Sequence, residues 1–336
     1  MDLSSAAPRR RMPAWAPQVL GYCLSAACLF WVLHGYPIDD LIPSIRSLDF
    51  RWVSLAVISD LTVYVVHGWR WNTLLKPVIR LRLWRTVQAI YIGLFANEVL
   101  PLRVGEVIRC YLLSHWNDLR LSVGFASIAV ERLIDGFWMV LAFLITASFV
   151  QRIPRDLVIL VWCIGGLILA GAVVLFWLIR RPESHAAIAE SRWSSILRHI
   201  IEGLHLMGNP RTLGYTALIS LLYLFLQFLQ IFCLMKAWGL DLSFWVAAGV
   251  LTIIRFGTVI PNAPGNVGLF QFACVLALRL FEVETNDAKT FSIIVFVAQT
   301  LPLLIGGAVA TAQSGLNLGE LHDRAKKSVS TVQNAK

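Results

Sequence analysis

The chain has 336 residues, of which 57% are hydrophobic and only 15% charged, and its mean hydropathy is +0.69. About a quarter of the residues of an ordinary soluble domain are charged, so a soluble domain is excluded, and the apolar runs lack the two-residue alternation of a membrane β-barrel. The net charge of +9 then points to cytoplasmic loops rather than to nucleic acid, because Lys and Arg gather on the cytoplasmic side of polytopic proteins.

Residues 1–14 form a short basic N-terminus with Arg9, Arg10 and Arg11. The apolar run that follows, 15–34, is too long for a signal-peptide core and has no small-residue cleavage site, so it reads as a retained helix. A second span covers 52–74 and ends in a basic group, Arg70, Lys76, Arg80, Arg82 and Arg85. Residues 86–116 are apolar but broken in the middle. Spans at 121–149 and 157–179 follow. A polar connector at 185–208 repeats apolar residues (Trp193, Ile196, Leu197, Ile200, Ile201, Leu204, Met207) at helical spacing, and is expected to be an amphipathic helix on the cytoplasmic face. A fifth span at 212–237, a second broken segment at 244–281, a sixth span at 290–312 and a polar tail at 315–336 complete the chain. Each long run suffices to cross about 30 Å of hydrocarbon. With the N-terminus inside, most of the 29 Lys and Arg fall on cytoplasmic segments, which places both termini in the cytoplasm. Trp15, Trp52, Trp69, Trp71, Trp84, Trp116, Trp238 and Trp245 lie near span ends, as an interfacial belt does.

The two broken segments share a pattern. The first reads VLPLRVGE and the second VIPNAPGN, so that Pro101 and Gly105 align with Pro261 and Gly265. Pro removes an amide donor and Gly permits unusual dihedrals. The freed backbone groups must line a cavity or lie buried in protein, and a helix resuming at Gly105 or Gly265 would turn its N-terminal amides toward an anion. Half-segments reach about 20 Å, which fits a re-entrant pair or two short spanning helices. The order span, span, broken pair, span occurs twice, once starting inside and once outside. The expected fold is therefore an all-α polytopic membrane protein, with six transmembrane helices and two broken re-entrant hairpins in an inverted repeat of 15–150 and 151–314. Paired Gly/Pro interruptions are the sequence pointer to a transporter's binding site.

Charges concentrate at the first break and in the third span. Arg103, Glu106 and Arg109 lie on the break and the helix after it, and Glu131, Arg132 and Asp135 lie in VERLIDG. If the third span starts near 121, Glu131 is about 15 Å deep. Unpaired charges at that depth are costly. The six groups balance in sign, so they either form a structural ion-pair network or turn some guanidinium groups, with Arg255, toward a phosphate, which the planar Arg fork holds with two hydrogen bonds. Asn97 and Asn262 flank the two breaks and suit capping of freed backbone. Asp60 and His67, seven residues apart on one helix face, form a candidate proton relay. Lys236 is placed to snorkel outward. The cysteines, Cys23, Cys28, Cys110, Cys163, Cys233 and Cys274, have no metal-ligand spacing and read as small buried hydrophobes. No metal or cofactor is implied.

NEVLPLRVGEVIRCYLL, then VERLIDG, then PNAPGNVGLFQ (Pro261, Pro264, Gly265, Gly268) together resemble the lysylphosphatidylglycerol synthase transmembrane family, also called flippase-like, over essentially the whole chain. The resemblance implies movement of a lipid between leaflets of the cell (inner) membrane. The family's first-motif charges fall on Arg103, Glu106 and Arg109, and its second set on Glu131, Arg132 and Asp135. Asn266 stands where a Gly is common. The best-known members add an aminoacyl-transferase domain, and the chain here is expected to be a stand-alone member without that activity. The expected partners are a phospholipid or lipid-linked substrate and the membrane, with no nucleic acid, and self-association is left open. A membrane-embedded enzyme acting on a phospholipid or polyprenyl phosphate, or a non-transporting partner of a lipid-synthesis complex, are the alternatives.

Overall fold

The computed structural model describes residues 16–37, 39, 41–100, 104–149, 155–180, 207–259 and 262–315. The expected amphipathic connector, apart from its last two residues, the tail after Gly315, Pro101, Arg103 and Pro261 lie outside these residues. The described chain is all helical, with no strand among the described residues. The helices are α1 (Ala16–Leu33), α2 (Leu41–Arg46), α3 (Phe50–Leu75), α4 (Leu83–Val99), α5 (Gly105–Asn117), α6 (Leu121–Phe149), α7 (Arg155–Arg180), α8 (Pro210–Ala237), α9 (Phe244–Gly257), α10 (Leu269–Leu280) and α11 (Thr285–Ser314), with a 3₁₀ turn at Pro264–Asn266. Helices α3, α8 and α11 are long and apolar enough to cross a membrane, and several shorter apolar helices accompany them. The protein is thus an all-α, multi-pass membrane protein. α6 is 29 residues long but carries Glu131, Arg132 and Asp135 in its middle.

Local chemistry sets the helix ends. Asp49 and Asn209 cap α3 and α8 by accepting from the amides two residues on, and Pro210 occupies the first turn of α8 where its missing donor costs nothing. Ser243 caps α9 by accepting from Val246. Asp118 and Gly315 end α5 and α11 in the left-handed conformation. The short helix α2 was not foreseen in the sequence.

α3 and α8 pack antiparallel along their lengths. The Asp49 amide meets the Ala237 carbonyl, the Trp52 ring lies 6.5 Å from Phe232, Ser59 donates to the Leu226 carbonyl, and His67 lies 5.3 Å from Tyr223. Around this pair the other helices gather in matched contacts. α4 packs on α11 and α9 on α6; α3 packs on α4 and α8 on α9; α5 packs on α6 and α10 on α11. The buried apolar residues form two main cores. One is built from α3–α6 around Trp71, Ile90, Ile108 and Ala126, the other mainly from α8–α11 around Ile231, Val250, Cys274 and Phe291. Trp71 is fully buried and donates to Ser127 Oγ, so it belongs to the core and not to an interfacial belt. Cys28, Cys110, Cys233 and Cys274 are buried, but Cys23 and Cys163 are exposed.

Candidate functional site

The site begins where α4 and α5 cross. A Cβ on Gly105 would fall 1.8 Å from the Gly93 carbonyl oxygen, so the two backbones touch, as small residues allow in membrane helix packing. On the other side of α5, Gly124 of α6 faces Cys110. α5 is thereby held between α4 and α6 at close range. Asn97 Oδ1 accepts from the Gly105 amide at 2.8 Å. The first amide of α5 is therefore occupied by the protein's own side chain and does not stand open to an anion.

This packing brings charged residues of α3, α5 and α6 together. Arg109 Nη2 donates to Glu131 Oε2 at 2.8 Å. Arg70 Nε lies 3.4 Å from Glu131 Oε1, and Arg70 Nη1 donates to Asp135 and, at 3.2 Å, to Ser220 Oγ. Arg109 Nη1 lies 3.0 Å from His67 Nε2. A guanidinium only donates, so Nε2 accepts there and the imidazole proton sits on Nδ1. Arg70 lies over the Tyr223 ring and Arg109 over the Trp71 ring, at 4.5 and 4.8 Å. Glu131 and Arg70 are completely buried. A second tier is open. Arg132 Nη2 donates to Glu106 Oε1 at 2.6 Å, with side chains 52% and 40% exposed, and Arg132 Nη1 lies 4.0 Å from Asp135. Asp135 thus joins the buried tier to the accessible one.

Among the described residues the cluster has three positive and three negative groups, Arg70, Arg109 and Arg132 with Glu106, Glu131 and Asp135; Arg103, expected here from the sequence, lies outside them, and Arg70 was not expected. Arg70 was counted with the cytoplasmic end of the second span. In the fold α3 continues to Leu75, and Arg70 turns inward. Its spacing from Asp60 and His67, ten and three residues, is the signal that places it on their face. The buried tier is not saturated. Arg70 Nε and Nη2, Arg109 Nε and Glu131 Oε1 have no hydrogen-bond partner of good geometry.

The second break is built differently. α10 resumes at Leu269, not at Gly265. Gly265 has φ 66 and Asn266 φ 57, a left-handed pair that Gly adopts freely and Asn tolerates, so Asn266 fits where the related motif has Gly. Gly105, its aligned counterpart, is ordinary helix and serves close packing instead. Gly268, at φ 87, donates to Gln271 Oε1. The Ala263 amide donates to Ser25 Oγ on α1 at 2.9 Å. Asn262 caps nothing: its Oδ1 and Nδ2 are buried without partners. The Glu98 carboxylate lies 2.7 Å from where a Gly265 Cβ would sit, so the neighbouring residues Asn97 and Glu98 contact one break each. Glu98 was not singled out in the sequence, although it adjoins Asn97.

Arg255 stands apart from the α5–α6 cluster. It is exposed, and its Nη2 donates to Gln227 on α8 at 2.5 Å. Asp60 is also separate from His67, lying among Tyr64, Gln230 and the charge of Arg255. Lys236 pairs with Asp241 at the end of α8. Among the described residues no group of three or more His, Cys, Asp and Glu is placed to hold a metal ion.

Broken apolar helices closing over buried and half-exposed ion pairs define a polytopic membrane protein with a charged interior. Residues 18–307 match the family model described as the lysylphosphatidylglycerol synthase TM region, and the chain belongs to that family. It is similar to a UPF0104 membrane protein of Methanocaldococcus jannaschii, 23% identical over 64% of this chain and 92% of the relative. A UPF0104 membrane protein of Methanothermobacter thermautotrophicus is 22% identical over 87% of this chain and 91% of its own length. The Glycosyltransferase AglD of Haloferax volcanii is 21% identical over 86% of this chain but only 53% of that protein.

Proposed function

We propose that the protein moves a phosphate-bearing lipid, or a lipid-linked head group, between the leaflets of the cell (inner) membrane. Two inverted repeats, each of three spans and one re-entrant pair, enclose the polar path, with both termini in the cytoplasm. Two features support the repeat. The matched helix contacts relate α3–α6 to α8–α11, and the central equivalents α3 and α8 run in opposite directions. Family membership supports a role in lipid handling.

The observation that carries the reading is the half-exposed Arg132–Glu106 pair above the buried Arg70–Glu131–Arg109 tier. Arg132 is reachable, and Glu106 occupies the position a phosphate oxygen would take. The head group exchanges with Glu106 on Arg132, which opens the accessible tier, while Glu131 keeps Arg70 and Arg109 aligned beneath and still holds α5 to α6. Acyl chains stay in lipid. Arg132→Gln in vesicles carrying fluorescent phosphatidylglycerol should lower leaflet transfer at least about tenfold. Its unfolding should change by no more than about 1 kcal/mol, because a half-exposed pair contributes little stability. Transfer at the wild-type rate sinks the reading. The AglD relative, a glycosyltransferase by name, favours a second reading, an enzyme acting on a lipid-linked sugar. A changed lipid mass after incubation with purified protein would select it.

A further inference from the structure

The buried carboxylate of Asp60 takes no part in the α5–α6 cluster. It lies seven residues before His67, about 10 Å along α3, and His67 is engaged by Arg109. Asp60 is 5% exposed. Tyr64 and Gln230 approach it, yet its Oδ2 has no hydrogen-bond partner. A buried ionised carboxylate without a partner on one oxygen is costly, and a protonated one is not.

Few groups among the described residues face Asp60. α3 itself supplies Tyr64, and α4 supplies Tyr91, whose ring lies 4.7 Å from that of Tyr64. α8 brings Gln230, and α11 brings Gln299, whose Nε2 lies 3.3 Å from Gln230 Oε1. The carboxylates of α6 meet α3 only at His67 and Arg70. Arg255 of α9 is the cation whose charge acts on Asp60. Arg255 is exposed and bonded to Gln227, and Gln227 and Gln230 share one face of α8. Gln227 thus holds the accessible guanidinium of Arg255, and Ser59, beside Asp60, donates to the carbonyl of Leu226, next to Gln227, so the buried carboxylate on α3 and the guanidinium on the second broken segment meet the same stretch of α8; Gln230 Nε2 has no partner.

We propose that Asp60 binds a proton, and that this proton is coupled through charge to capture of the lipid phosphate by Arg255. The coupling rests on the transport reading above. With Asp60 ionised, Arg255 compensates its charge. When Asp60 takes one proton from water, Arg255 is left to neutralise an anion, so proton and phosphate enter together and favour each other reciprocally.

The test uses the full chain in vesicles and the infrared band of a protonated carboxyl. The band should titrate in the wild type, vanish in Asp60→Asn and move in frequency in Asp60→Glu. Replacing phosphatidylcholine with phosphatidylglycerol should extend the wild-type band to higher pH, by about fivefold in proton concentration, and should have no such effect in Arg255→Gln. A band retained in Asp60→Asn, or unmoved in Asp60→Glu should the Asn variant fail to fold, overturns the proton site. A lipid effect that is absent, or equal in Arg255→Gln, overturns the coupling. If both bands behave as expected while fluorescent phosphatidylglycerol does not cross, the transport reading fails and the proton site stands.

Discussion

The α4–α5 crossing offers the sharpest test of the fold, through Gly105→Ala. The new Cβ would lie 1.8 Å from the Gly93 carbonyl oxygen and 2.6 Å from Asn97 Oδ1, where ordinary contact begins at 3.4 Å. The nearest obstacle is backbone, so no rotamer change relieves it, and the two helices must separate by more than ~1 Å. Overpacking of this kind costs about 3 kcal/mol, the upper end of the usual range. Displacing the Asn97 cap adds about 1 kcal/mol. Alanine returns at most about 1 kcal/mol of helix propensity, leaving a net loss near 3 kcal/mol. Gly166→Ala is the control: it lies inside α7 with nothing within 4 Å, and should be neutral or stabilising. Thermal unfolding of both variants in detergent measures the difference. If Gly105→Ala melts with the wild type or with Gly166→Ala, the backbone contact does not exist and the placement of Arg109 against Glu131 falls with it.

Arg70→Met should destabilise by about 3–5 kcal/mol, because it leaves Asp135 and Glu131 short of a buried counter-charge; Arg70→Lys should recover little, since it cannot reach Glu131, Asp135 and Ser220 together or lie flat on Tyr223. Denaturation in detergent checks both. At the second break, Asn266→Gly should stabilise by up to about 1 kcal/mol and Asn266→Val should destabilise by about 1–2 kcal/mol, the left-handed strain of a side chain; equal melting of the two variants would exclude the φ seen there.

The positions of the helices were legible because hydropathy and helix breakers record them directly. Leu121–Phe149 begins after the left-handed Asp118 and runs uninterrupted to its end. The breaks at 101–105 and 261–265 were visible as Pro and Gly. What each glycine does was not, since a Gly chosen for a backbone contact (Gly105) and one chosen for positive φ (Gly265) are the same letter in the same spacing. Only the neighbouring helix, with Gly93 opposite Gly105, separates the cases. The α2 helix escaped notice because six residues carry too little periodicity.

For the site, legibility followed the cost of burial. Charges deep in apolar runs announce themselves, so Glu106, Arg109, Glu131, Arg132 and Asp135 were found. Arg70 was misassigned because it stands near other basic residues at a span end, where a long side chain ordinarily reaches water. Whether it turns in or out is decided by Glu131 and Asp135 on another helix. The amides of Gln227, Gln230 and Gln299 left no signal, since a neutral side chain on a long apolar helix barely lowers its hydropathy. Yet these amides lie on the helices that pack around Asp60. Without them Asp60 is an isolated buried acid that reads as half of a pair with His67. With them in view, Gln227 holds Arg255 from the opposite half of the molecule on the same stretch of α8 that packs beside Asp60, at a distance in sequence that no local pattern spans. Polar contacts inside such a bundle are therefore made partly by residues that cost the membrane little, and those are the residues a hydropathy reading passes over.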